Sequence, residues 1–157
     1  MQSIDSKQAE RVWSRVMNAQ TAEAPKPTSD FNASVLQMLR DARQEAALYA
    51  CLSGKLRGKA QKLLQSLCER KRCQAKTLGA VYFLSAGEKA CPEPGKPVCI
   101  TCVNESLRQQ HKTSLHTAES YRAFAAQAGC HACIFEKLAK EERENANTIL
   151  CVLEACL

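Results

Sequence analysis

Glycine and proline are scarce, with six and five among 157 residues. That scarcity excludes a loop-rich or low-complexity chain. Aromatics are few as well: one tryptophan, three tyrosines and four phenylalanines. Together with thin β-branched content, this excludes an all-β fold. No stretch approaches the roughly 18 apolar residues that a membrane span requires. The opening MQSIDSKQAERVW is polar and lacks the apolar run of a secretory signal. The expectation is therefore a cytoplasmic protein with no membrane partner. Alanine, leucine, glutamine, lysine, arginine and glutamate dominate, and these are helix formers. The net charge of +6 is interspersed and is weak support for nucleic-acid binding. Cysteine is in excess, with ten residues. Where no export signal is present, thiols, metal ligands and redox pairs come before disulfides.

Periodicity divides the chain into an arm and a bundle. Residues 5–19 place Val12, Trp13, Val16 and Met17 on one stripe of a short helix. Residues 20–29, with two prolines, read as a linker, so 1–29 form an N-terminal helical arm and linker. The remainder, 30–157, predicts four helices: about 31–52 with Asp30 as N-cap and a break at Ser53-Gly54, 56–86 stopped by Gly87, 104–128 behind Asn104 and stopped by Gly129, and 131 to the C-terminus. The connection between the second and third carries three prolines. Fully extended it spans roughly 50 Å, more than the length of a helix of that size. It can therefore cross the bundle end to end. The predicted fold class is an all-α four-helix bundle running up-down-down-up, with its long crossover between helices two and three.

The chain also matches itself at an offset of about 71 residues. Leu64 to Leu78 on the second helix aligns with Phe135 to Ile149 on the fourth, and Tyr49 on the first answers Tyr121 on the third. This reads as a duplicated helical hairpin. On AALYACLSG (46–54), AKTLGAVYFLSAG (75–87) and LAKEERENANTIL (138–150), residues 30–156 resemble the rubrerythrin-like branch of the ferritin-like superfamily.

That resemblance implies a di-iron site with a carboxylate from the first and third helices and a Glu-x-x-His from the second and fourth. Its positions fall on Ala42, Lys71, Gln74, Ser114, Glu142 and Asn145. Only Glu142 keeps a ligand type, so the site reads as degenerate. A one-turn shift nominates Glu45 and Glu119, with Glu142, as alternative metal carboxylates. A protonated ammonium cannot ligate and repels cations. Lys71 opposite Glu142 therefore predicts a buried ion pair in place of metal, with a solvated Lys71 as the alternative.

Cys99-x-x-Cys102 and Cys130-x-x-Cys133 flank the third helix at a separation of roughly 37 Å, too far to share one ion. The topology groups Cys99 and Cys102 with Cys51, Cys151 and Cys156, and Cys130 and Cys133 with Cys91 and His131. Either group is a candidate thiol or metal site; half-buried thiols are the plainer reading. Residues 55–76 hold eight basic side chains and one acid, Glu69. No aromatics interleave to stack bases, so the run reads as a solvated face or one paired with Glu136, Glu141 and Glu144. No nucleic-acid partner is expected.

The functional expectation is a non-catalytic scaffold or accessory protein with no cofactor. The alternative is a redox protein, an oxidoreductase, using iron or zinc at a noncanonical carboxylate site or its cysteines. A homodimer through the bundle or the arm is the partner that the sequence allows.

Overall fold

The computed structural model describes residues 29–156, and the predicted arm helix lies outside them. Four α-helices and one 3₁₀ turn make up the described chain, with no strand among those residues. They are α1 (Ser29–Lys55), α2 (Gly58–Ala86), α3 (Val103–Ala125), the turn Gly129–His131, and α4 (Ala132–Ala155).

Each helix buries a stripe at the spacing its sequence predicts. On α1 the stripe is Phe31, Val35, Leu39, Ala42, Ala46, Tyr49 and Leu52. The steps of three and four residues keep it on one face. Interior residues gather into two apolar regions. One is aromatic: Phe31, Phe124 and Phe135 meet there, with Phe31 and Phe124 stacked at 5.2 Å and Phe124 and Phe135 edge to face at 4.8 Å. The other is aliphatic, built from Leu52, Leu64, Leu67, Leu107, Ile149 and Val152. Between them lies a layer of buried polar side chains, one or two from every helix: Glu45, Lys71, Gln74, Ser114, Glu142 and Asn145.

The boundaries of α1 and α3 differ from expectation at both ends. First, α1 continues through Ser53-Gly54, because the Ser53 hydroxyl donates back to the Ala50 carbonyl at 2.8 Å inside the last turn. Ser29 opens the helix, so Asp30 sits in the first turn as an acid rather than as its N-cap. Second, α3 stops at Ala125, and tighter i→i+3 bonds carry the chain to Gly129: Ala126 N–H to Ala123 O, Gln127 N–H to Phe124 O and Ala128 N–H to Ala125 O. Third, its N-cap is Cys102, not Asn104. Gly87 does close α2, in the left-handed region at φ 77° with its N–H on the Phe83 carbonyl.

The connection 87–102 passes along α1, where Gln44 Nε2 donates to the Lys96 carbonyl at 2.9 Å. Ala90 near its start packs on the aromatic region, and Ile100 near its end packs on the aliphatic one. The segment therefore touches both apolar regions.

Candidate functional site: a buried lysine between two carboxylates

Lys71 is the focus of the polar layer. It is 1% exposed. Its Nζ donates to Glu142 Oε1 at 2.5 Å and forms an ion pair with Glu45 Oε2. Glu142 Oε1 also accepts from Asn145 Nδ2 at 3.3 Å, one turn along α4. From outside the layer, Arg70 Nη1 reaches Asn145 Oδ1 at 3.3 Å and Thr148 Oγ1 at 3.2 Å. Gln74 Nε2 donates to Glu141 at 3.3 Å. Three helices thus supply one ammonium and two carboxylates; Asn145 braces Glu142, and Arg70 braces Asn145 in turn.

Burial and charge act against each other here. Desolvation alone would lower the Lys71 pKa, but the attraction of Glu45 and then Glu142 outweighs it, so the ammonium holds its proton above the ordinary lysine range. Burial raises the Glu45 carboxyl above its usual range, and the pull of Lys71 offsets this only in part. Tyr49 and Tyr121, both buried, border the layer. Desolvation, then the nearby carboxylates, keeps both phenols protonated well above their ordinary pKa. The Ser114 hydroxyl lies beside that of Tyr49. The nearby Glu142 carboxylate adds to the burial that raises the Glu45 carboxyl.

Of the positions implied by the resemblance, Lys71, Gln74, Ser114, Glu142 and Asn145 are all buried in this layer. Ala42 is also buried, but in the aromatic region, so Glu45 rather than Ala42 is the α1 residue that meets the charge. Glu119 lies outside on α3, 63% exposed and paired with Arg143 at 2.6 Å. Sequence reasoning missed the closing role of Arg70 and the bordering tyrosines. The repeat of Tyr49 at Tyr121 was the available signal for the latter.

These residues do not fit a di-iron centre. The layer has two carboxylates and no imidazole, and both carboxylates already bind an ammonium that has no lone pair to offer. Among the described residues, no group of three or more histidine, cysteine, aspartate or glutamate side chains is placed to hold a metal ion.

That applies equally to the thiols. All ten cysteines are unbridged. Cys99, Cys102, Cys130 and Cys133 are exposed, whereas Cys68 is buried and Cys156 half-buried. Cys156 packs against the aliphatic region, as do Ile100 and Val103, and neither Cys-x-x-Cys pair belongs to a metal-holding group among the described residues. The basic run also departs from its expected partners. Arg72 pairs with Glu69 on its own helix, and Glu141 takes Gln74 and Lys137.

Comparison with protein-family models, with curated proteins and with solved structures gives no match for this chain. No helix among the described residues is long and apolar enough to cross a membrane.

Proposed function

We propose that the chain is a ferritin-like, rubrerythrin-related bundle in which the Lys71 ammonium replaces metal, and that it acts as a non-catalytic scaffold or accessory protein. The observation that carries this reading is Lys71 itself, enclosed between Glu45 on α1 and Glu142 on α4. A centre closed by its own internal cation has no open ligand position and no redox-active group. The up-down-down-up course belongs to the same proposal. In its favour, the start of α1 meets the end of α2 through Asn32 and Ser85, the end of α3 through Phe31 and Phe124, and the start of α4 through Phe31 and Phe135.

Metal analysis of the purified, untagged protein tests the proposal. Iron and zinc are expected well below one equivalent per chain. About two equivalents of iron, the di-iron stoichiometry, would overturn it.

A second reading has one observation behind it. Cys102 occupies the N-cap of α3 and is exposed, with Cys99 three residues before it and also exposed. That spacing lets the two sulfurs meet in a disulfide. In this reading Cys99 and Cys102 form a redox pair. Alkylation rates measured against pH, with and without a chelator, decide it: two thiols titrating near the unperturbed ~8.5, indifferent to chelation, exclude that role.

A further inference from the structure

The outer face of the α1–α2 hairpin carries a groove of about 550 Å³, within the range of small-molecule sites. Its floor is small and apolar, mostly alanine, with Leu39 at one end and Gly79 in the wall. Four cations from three parts of the chain surround it: Arg43 on α1, Arg72 and Lys76 on α2, and Lys89 on the connection that follows. No aspartate or glutamate lines it.

These charges are poorly compensated among the described residues. Arg72 is tied to Glu69, while Arg43, Lys76 and Lys89 make no ion pair with any described residue. Arg72 and Lys76 stand one turn apart, a like-charge spacing that weakens a helix. An ordinary solvated surface alternates its signs; here cations converge on an apolar floor, where low-dielectric walls strengthen their field.

We propose that this groove binds a small amphipathic anion: a carboxylate or phosphate head on a short apolar body. The head would meet Arg43, Lys76 and Lys89, and the body would cover the alanine floor. From Leu39 to Ala47 the α1 wall runs about 12 Å, which suits one short chain or ring rather than a docked helix. A Cβ added at Gly79 meets nothing within 4 Å, so a larger side chain can be placed at this point of the lining without a clash at its Cβ. Neither the floor nor the cations belong to the Lys71 centre, so the proposal stands apart from the loss of metal chemistry.

Titration calorimetry on the full chain tests it with four probes: octanoate, octyl phosphate, inorganic phosphate and octanol. One of the two amphiphiles is expected to bind at least tenfold more tightly than inorganic phosphate or octanol, and more weakly as salt rises. Which amphiphile binds tighter identifies the head as carboxylate or phosphate. Gly79→Leu fills the groove and should cost at least tenfold in affinity, with helical content and cooperative melting retained. Lys76→Gln should weaken binding and flatten its salt dependence. The proposal is overturned if neither amphiphile outbinds its separate head and tail, or if folded Gly79→Leu binds unchanged. Should Gly79→Leu not fold, unchanged affinity in Lys76→Gln overturns it instead.

Discussion

Lys71 and Arg72 are adjacent cations on α2 with opposite surroundings. A turn of about 100° per residue sends Lys71 into the bundle, where two carboxylates from other helices enclose it, and leaves Arg72 56% exposed beside Glu69 one turn back on its own helix. The Lys71–Glu142 and Arg72–Glu69 pairs have the same length, 2.5 Å, so distance does not distinguish them. The medium does. Water around Arg72 screens the charge and solvates either partner alone, so the pair is worth little. Around Lys71 no water replaces a lost partner, and each charge depends on the others.

Breaking the buried group should have the largest effect. Lys71→Met leaves Glu45 and Glu142 facing each other without a cation, and a loss of about 3–5 kcal/mol is expected in denaturant unfolding. Because two carboxylates are involved, Lys71→Met with Glu142→Leu should recover only part of it, and adding Glu45→Leu should recover most of the rest. Single and double effects that simply add would contradict the coupling.

A pH titration of stability sharpens the same contrast. The folded pKa of Lys71 lies above its unfolded value of 10.5. Its stabilisation is therefore fully present below pH 10.5 and is lost as pH rises through the folded pKa. Glu45, raised from 4.5, acts at the other end: its contribution is present in acid and fades as pH climbs past its folded value. Lys71→Met should shrink the alkaline limb of the stability profile, what remains belonging to the buried phenols of Tyr49 and Tyr121. A limb of unchanged size after this substitution would assign the loss wholly to other groups.

At the surface, Arg72→Gln should change stability by no more than about 0.5 kcal/mol, and Glu119→Gln, which breaks the exposed pair with Arg143, by about 1 kcal/mol at most. A loss from either comparable to that of Lys71→Met would erase the distinction between the two media. The smallest effect concerns labelling rather than stability. Cys68 is buried, donates to the Ala46 carbonyl at 3.3 Å and is held above the usual thiol pKa by its desolvation. It should be the last of the ten thiols to react with iodoacetamide in the native protein, as mass spectrometry of timed samples would record.

Much of this was legible in the residues. The interruption of each apolar stripe by a polar side chain is written at Lys71, Gln74, Ser114, Glu142 and Asn145, and the self-match of α2 with α4 placed Lys71 opposite Glu142. Glu45 was harder to assign. It and Ala42 lie three residues apart on the same face of α1, so helical period alone does not say which one meets the charge. That depends on the axial offset between α1 and α2, which is set by packing. Glu119 is another matter: five residues beyond the buried Ser114, it lies about 140° round α3, so the period alone turns it outward. The basic groove was hidden because its cations come from separate stretches; only Arg72 and Lys76 belong to the run that composition marks.

Four helices, their buried faces, the presence of charge inside and the separation of the two Cys-x-x-Cys pairs follow from the residues alone, because local propensity, the 3.6-residue period and the rise per residue set them. That Lys71 faces two carboxylates rather than one, and that Arg43 and Lys89 join Arg72 and Lys76 around one apolar floor, emerges only once the helices pack. Each of those depends on the relative shift and facing of helices, and that is fixed by the fit of side chains across their contact, which no single segment encodes.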